Sequence, residues 1–100
     1  MIDLSRVVGF DWDDGNSTKS THKHAVSRGE AEQVFANTPL LLFADWTHST
    51  SEPRYHAYGQ TDAGRLIQIS FTLRQDGTLL RVISARPMSA KERARYGQET

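Results

Sequence analysis

The sequence predicts an α+β fold: a small antiparallel β-sheet of about four to five strands packed with two N-terminal helices and one C-terminal helix. Three observations carry this reading. "RLIQISFTLR" (65–74) sends Ile67, Ile69, Phe71 and Leu73 one way and Gln68, Ser70, Thr72 and Arg74 the other, the period of a strand. "QDGT" after it is an Asp-Gly hairpin turn into another apolar stretch. Two capping boxes, Ser27 with Glu30 and Ser89 with Glu92, mark helix starts on either side of that strand-rich middle.

Taken in order, "VVGFDW" (7–12) reads as a strand stopped by Asp13, Asp14, Gly15 and Asn16. Residues 17–24, "STKSTHKH", have little periodicity and are assigned a short exposed helix. The next helix opens at Ser27, with Val26 and Ala31 at staple positions. It turns Ala31, Val34 and Phe35 to one face and ends at Asn37 and Pro39. "LLLF" (40–43) and "RYHAYG" (54–59) are strands around the polar loop "ADWTHSTSE". In the strand 78–86, strict alternation puts Leu80, Val82, Ser84 and Arg86 on one face and Arg81 and Ile83 on the other. The last helix starts at Ser89 and fades at Gly97. With all helices on one side of the sheet, the other face is wet and carries Thr72, Arg74 and one of the later arginines.

The chain of 100 residues is expected to form one domain, 1–100, with a small core. No stretch is apolar for long enough to span a bilayer, and the N-terminus turns acidic before a signal-peptide pattern forms, so a cytoplasmic location is expected. The absence of cysteine excludes disulfides, thiolate catalysis and zinc–thiolate sites. The net charge is zero but unevenly spread. Residues 1–16 hold Asp3, Asp11, Asp13 and Asp14 against Arg6. Residues 74–96 hold Arg74, Arg81, Arg86, Lys91, Arg93 and Arg95 against Asp76 and Glu92. If the fold keeps these segments apart, one face attracts polyanions; otherwise the charges are a solvated surface.

Several segments, in order, resemble the BrnT family of ribonuclease toxins from type II toxin–antitoxin pairs. They are "GFDWDDGN" (9–16), Lys19, "KHAVSRGEAEQVF" (23–35), "DWTHSTSEPRY" (45–55), "FTLR" (71–74) and "RVISARPMSAKERARY" (81–96). The sequence departs from the family pattern at Ala25, where Gly is usual, at Arg28 and Gly29, where bulkier apolar residues are usual, and at Pro87. The resemblance implies a RelE-like fold, cleavage of cytoplasmic RNA, and a BrnA-type antitoxin of the ribbon-helix-helix class as partner. The implied assembly is a hetero-oligomer with that antitoxin, with a homodimer as the alternative in its absence. No membrane contact or cofactor is implied.

RNA cleavage without a metal needs a base for the ribose 2′-OH, cations for the charged phosphorane, and an acid for the leaving 5′ oxygen. Arginine suits the second task through its planar, permanently charged fork. Arg86 is the first candidate because it ends a strand beside a helix start. Arg74, Arg81 and Arg93 are candidates for further phosphate contacts. Lys23 and His24, just before a helix, are the candidate acid–base pair, with His24 packing beside Val26 as the structural alternative. Glu52 lies in the polar loop, four residues after His48, with Arg54 two further on; the Glu–Arg pair either orients a phosphate-binding arginine or staples the loop. Trp12 and Trp46 could stack on unpaired bases, although Trp12, following "VVGF" in a core this small, is expected to be buried. His22, His24, His48 and His56 are the one set that could gather a metal, but no carboxylate clearly completes it and no metal site is expected. Two function classes therefore compete: a metal-independent endoribonuclease leaving 2′,3′-cyclic phosphate, and a catalytically silent module that binds antitoxin or RNA.

Overall fold

The structure, a computed structural model, describes residues 2–12, 25–47 and 52–100. Within these, the order is β1 (Gly9–Phe10), α1 (Arg28–Ala36), β2 (Leu41–Ala44), β3 (Tyr55–Gln60), β4 (Leu66–Arg74), β5 (Leu79–Pro87) and α2 (Ala90–Glu99). The five strands form one sheet in the order β1-β5-β4-β3-β2. Strands β2 to β5 are an antiparallel meander, and the Asp-Gly turn joins β4 to β5 as expected.

The fold class needs correction in three respects. The sheet is mixed, because β1 pairs parallel with β5 through Gly9↔Leu79 and Phe10↔Leu80. Local sequence pattern cannot show this, since the chain crosses by α1 to the far edge before the meander returns to β1. The described residues hold two helices rather than three; the segment assigned the extra helix, 17–24, lies outside them. Finally, the helices flank the sheet on both faces. Ala31 and Val34 of α1 pack with Ala57, Ile67, Ile69, Phe71, Leu80, Val82 and Ala85. Tyr96 of α2 packs with Tyr58 and Met88, bordered by Leu41, Phe43 and Leu66 on the opposite side. The supposedly wet face is therefore half covered, and Gln68 and Thr72 on it are buried.

Both capping boxes form as the sequence predicts: the Ser27 and Ser89 hydroxyls accept from the N–H groups of Glu30 and Glu92, whose carboxylates reach back. Arg65 fastens α1 to the turn before β4, donating to both Glu30 oxygens and to the Ala25 carbonyl. Gly59 lets α1 approach β3, since a Cβ there would lie 2.9 Å from a Val34 methyl.

A β-bulge redirects β5. Ser70 pairs with Ser84 but Phe71 pairs with Val82, leaving Ile83 as the extra residue. Strict alternation is broken there, so Leu80, Val82 and Ala85 share the α1 face while Arg81, Ser84 and Arg86 share the other. This corrects the expected separation of Arg81 from Arg86.

Ala25 adopts φ +55°, the left-handed conformation that glycine enters freely. An alanine thus holds a left-handed turn that its side chain disfavours. Ala25→Gly is expected to stabilise the fold by about 0.5–1 kcal/mol, strain relief of roughly 1–2 kcal/mol offset by the extra freedom of the unfolded glycine. Urea denaturation midpoints of the two proteins check this; a lower midpoint for the glycine variant would refute it.

Candidate functional site

The face opposite α1 carries most of the polar chemistry of the sheet, in three rows set by strand register. His56, Ser70 and Ser84 lie side by side on β3, β4 and β5. On one side of this row Gln68 pairs with Arg86, and on the other Thr72 pairs with Arg81. Next to Thr72 and Arg81, a hollow of about 270 Å³ is lined by Glu52, Arg54, Thr72, Arg74 and Arg81, where Val82 and Ile83 of the bulge also contribute. The Thr72 hydroxyl donates to the Pro53 carbonyl at 2.7 Å and holds the segment before β3 against β4. The fold thus joins Glu52 and Arg54, from the polar loop, to Arg74 and Arg81, from the hairpin.

Each arginine of the hairpin meets a carboxylate. Arg74 donates to Glu52 at 3.0 Å, and Arg81 lies 3.4 Å from Asp11. The acidic N-terminal and basic C-terminal segments are therefore neighbours, a consequence of the parallel β1–β5 pairing, and not opposite faces. Arg86 makes a two-pronged contact with Glu92, both bonds 2.7 Å. That fork holds the Glu92 carboxyl below its ordinary value, assisted by the Ser89 N–H and opposed by burial. The same bonds raise the Arg86 guanidinium. Arg93 turns back to donate to the Met88 carbonyl at 2.8 Å, away from the hollow's lining. Such pairing fixes the direction of each guanidinium before any ligand arrives.

The central row is a connected network. His56 Nε2 lies 3.1 Å from Asp45 Oδ2. His56 Nδ1 lies 2.8 Å from Gln68 Nε2 and 3.0 Å from Ser70 Oγ, and the Gln68 amide also donates to Ser70 at 3.2 Å. Sequence reasoning missed Asp45, Gln68 and Ser70 and weighed His56 only as a metal ligand. The available signal was the polar face of the strand 65–74, joined to knowledge of which residue lies opposite His56.

Lys23 and His24 lie outside the described residues, as do His22 and His48. Among the described residues no three of His, Asp and Glu gather as a metal site. Trp12 donates to Glu32 at 2.8 Å beneath the Arg28 guanidinium, so it is engaged with α1. Trp46, beside Asp45, is 86% exposed. Tyr96 donates to the Pro39 carbonyl and packs back on the sheet. A larger hollow of about 510 Å³ at the β2 edge, between Ile2, Leu42 and Trp46, is lined by apolar side chains and offers no ionic chemistry. No described helix is long and apolar enough to cross a membrane.

Residues 12–92 match the family model described as "Ribonuclease toxin, BrnT, of type II toxin-antitoxin system". A search of the curated proteins found no match. Among solved structures, the chain is similar to the crystal structure of the Brucella abortus ribonuclease toxin BrnT. The TM-score is 0.61 at 20% identity, over 81% of this chain and 96% of that one, a likeness of fold.

Proposed function

Because the chain belongs to the BrnT family of ribonuclease toxins of type II toxin–antitoxin systems, we propose that it is a metal-independent endoribonuclease whose phosphate site is the arginine hollow. The observation that carries this reading is the convergence of Arg54, Arg74 and Arg81 on one cavity at the end of a polar sheet face. Guanidinium groups arriving from three segments suit a phosphodiester whose charge grows as the 2′ oxygen attacks. Glu52 holds Arg74 in direction, and Arg86 lies at the far end of the same face, reaching the RNA backbone by exchanging Glu92 for phosphate. Lys23 and His24, assigned to proton transfer from sequence, precede α1. Arg93 adds positive charge on α2. Exposed Trp46 offers a stacking surface for an unpaired base. The products are a 2′,3′-cyclic phosphate and a 5′-hydroxyl.

The partner is a BrnA-type ribbon-helix-helix antitoxin, bound as a hetero-oligomer in the cytoplasm. A second reading, a module that binds antitoxin or RNA without cutting, draws its support from the carboxylates already paired with Arg74, Arg81 and Arg86. The experiment that separates them is cleavage of free and ribosome-bound RNA by the purified protein in EDTA, with product ends mapped. Cyclic phosphates formed in EDTA are expected. Cleavage abolished by EDTA would refute the metal-free mechanism, and no cleavage of either RNA would leave the silent module.

A further inference from the structure

We propose that Ser70, His56 and Asp45 form a proton relay that receives the 2′-hydroxyl proton of the RNA. It rests on the ribonuclease reading above and places the base on the sheet face, in place of Lys23 or His24. The carboxylate of Asp45 can only accept a hydrogen bond when ionised, so the His56 Nε2 facing it at 3.1 Å carries the hydrogen. The Nδ1 lone pair is then the ring's acceptor, shared between the Gln68 amide at 2.8 Å and the Ser70 hydroxyl at 3.0 Å. Gln68 donates to both Nδ1 and the Ser70 oxygen, fixing them relative to each other. The ring is further held by Phe43, tilted against it at 5.5 Å, over which Arg95 of α2 lies.

Position supports the role as strongly as bonding does. Ser70 stands in the middle row of the face, between the row of Arg86 and the row of Arg81. Each of these rows is about 7 Å along the strand, within the reach of an arginine side chain. A phosphodiester held by Arg81 has its neighbouring ribose within one row of Ser70. A purely structural face at this depth would favour apolar side chains, since placing a carboxylate, an imidazole and an amide there costs desolvation. Asp45 is 9% and Gln68 3% exposed.

The step balances without a further reactant. The 2′ O–H bond breaks as its proton passes to Ser70 Oγ, while the proton of Ser70 passes to His56 Nδ1. The freed 2′ oxygen bonds to phosphorus, the bond from phosphorus to the 5′ oxygen breaks, and that oxygen takes a proton from water. The imidazolium, facing Asp45, gives its proton to the hydroxide so formed. Ser70 is then the catalytic residue; His56 and Asp45 are positioning residues that act through it.

The test uses the whole protein with His56→Gln, Ser70→Ala and Asp45→Asn. Asp45 is the carboxylate 3.1 Å from the ring, Arg95 of α2 lies over the neighbouring Phe43, and Arg81 and Arg86 stand in the flanking rows of the same face, so the asparagine variant removes the charge in direct contact with the ring. His56→Gln and Ser70→Ala are each expected to lower kcat about 10²-fold or more, with KM and binding of an uncleavable 2′-deoxy oligonucleotide unchanged. The acidic limb of the pH–rate profile should flatten in His56→Gln. In the free protein, ¹⁵N NMR should show the hydrogen on His56 Nε2. An Nδ1–H tautomer, or an unaltered kcat and pH profile in His56→Gln while Arg81→Ala loses cleavage, would overturn the relay and leave the ribonuclease reading standing. If the parent cuts neither free nor ribosome-bound RNA, both fall. Should His56→Gln fail to fold, Ser70→Ala and the tautomer decide alone.

Discussion

Arg81→Ala is expected to lower RNA cleavage by about 10²- to 10³-fold, the loss typical of removing one donor aimed at developing charge. Arg81 is the best placed of the three arginines in the hollow. It springs from a strand with neighbours on both sides, its side chain is more enclosed than that of Arg74, and Asp11 fixes its direction. Its ion pair with Asp11 is a partly exposed one with a separation of 3.4 Å, and the loss of that pair costs less than about 1 kcal/mol. Cleavage rate and melting temperature, measured together, separate the two effects. Arg81→Lys should recover only part of the rate, because an ammonium cannot grip two phosphate oxygens. The salt dependence of RNA binding should also become shallower, by about one unit of slope for the lost phosphate contact. Full activity in Arg81→Ala would move the phosphate site out of the hollow.

What could be read from sequence divides by the range of the forces involved. The capping boxes at Ser27 and Ser89 and the alternation in β4 are local, and they reappear within a residue or so of their expected places. The parallel pairing of Gly9 with Leu79 joins residues far apart in the chain and leaves no local pattern. That one pairing also decides the electrostatics, because it sets Asp11 beside Arg81. Ile83 looks like an ordinary strand residue, yet as the bulge it decides which way Arg86 faces. For the candidate site, Arg74, Arg81, Glu52 and Arg54 were legible by residue type, and loop and hairpin do bring them together. The Asp45–His56–Ser70 network was not, because each member is unremarkable until strand register places it.

Glu92→Gln and Arg86→Ala form a pair that tells a clamp from a phosphate ligand. In the free protein Glu92 closes the α2 capping box by accepting from the Ser89 N–H at 2.9 Å, and it binds the Arg86 fork. Losing its charge should cost about 1–3 kcal/mol, at the lower end because Arg86 is 37% exposed and its attraction is screened. The pH dependence follows from the lowered carboxyl: its contribution is full above the ordinary value of 4.5 and fades as pH falls through the depressed one. Urea midpoints of parent and Glu92→Gln should therefore differ by a constant amount near neutrality and converge in acid. For cleavage the two variants should part. Glu92→Gln releases Arg86, so its rate should hold and its KM for RNA should fall or stay level. Arg86→Ala removes the guanidinium itself and should lose about 10-fold in rate or more, assayed well below its melting temperature. Equal losses of stability with no loss of cleavage in either variant would make Arg86 a structural clamp for α2 and confine phosphate binding to Arg54, Arg74 and Arg81.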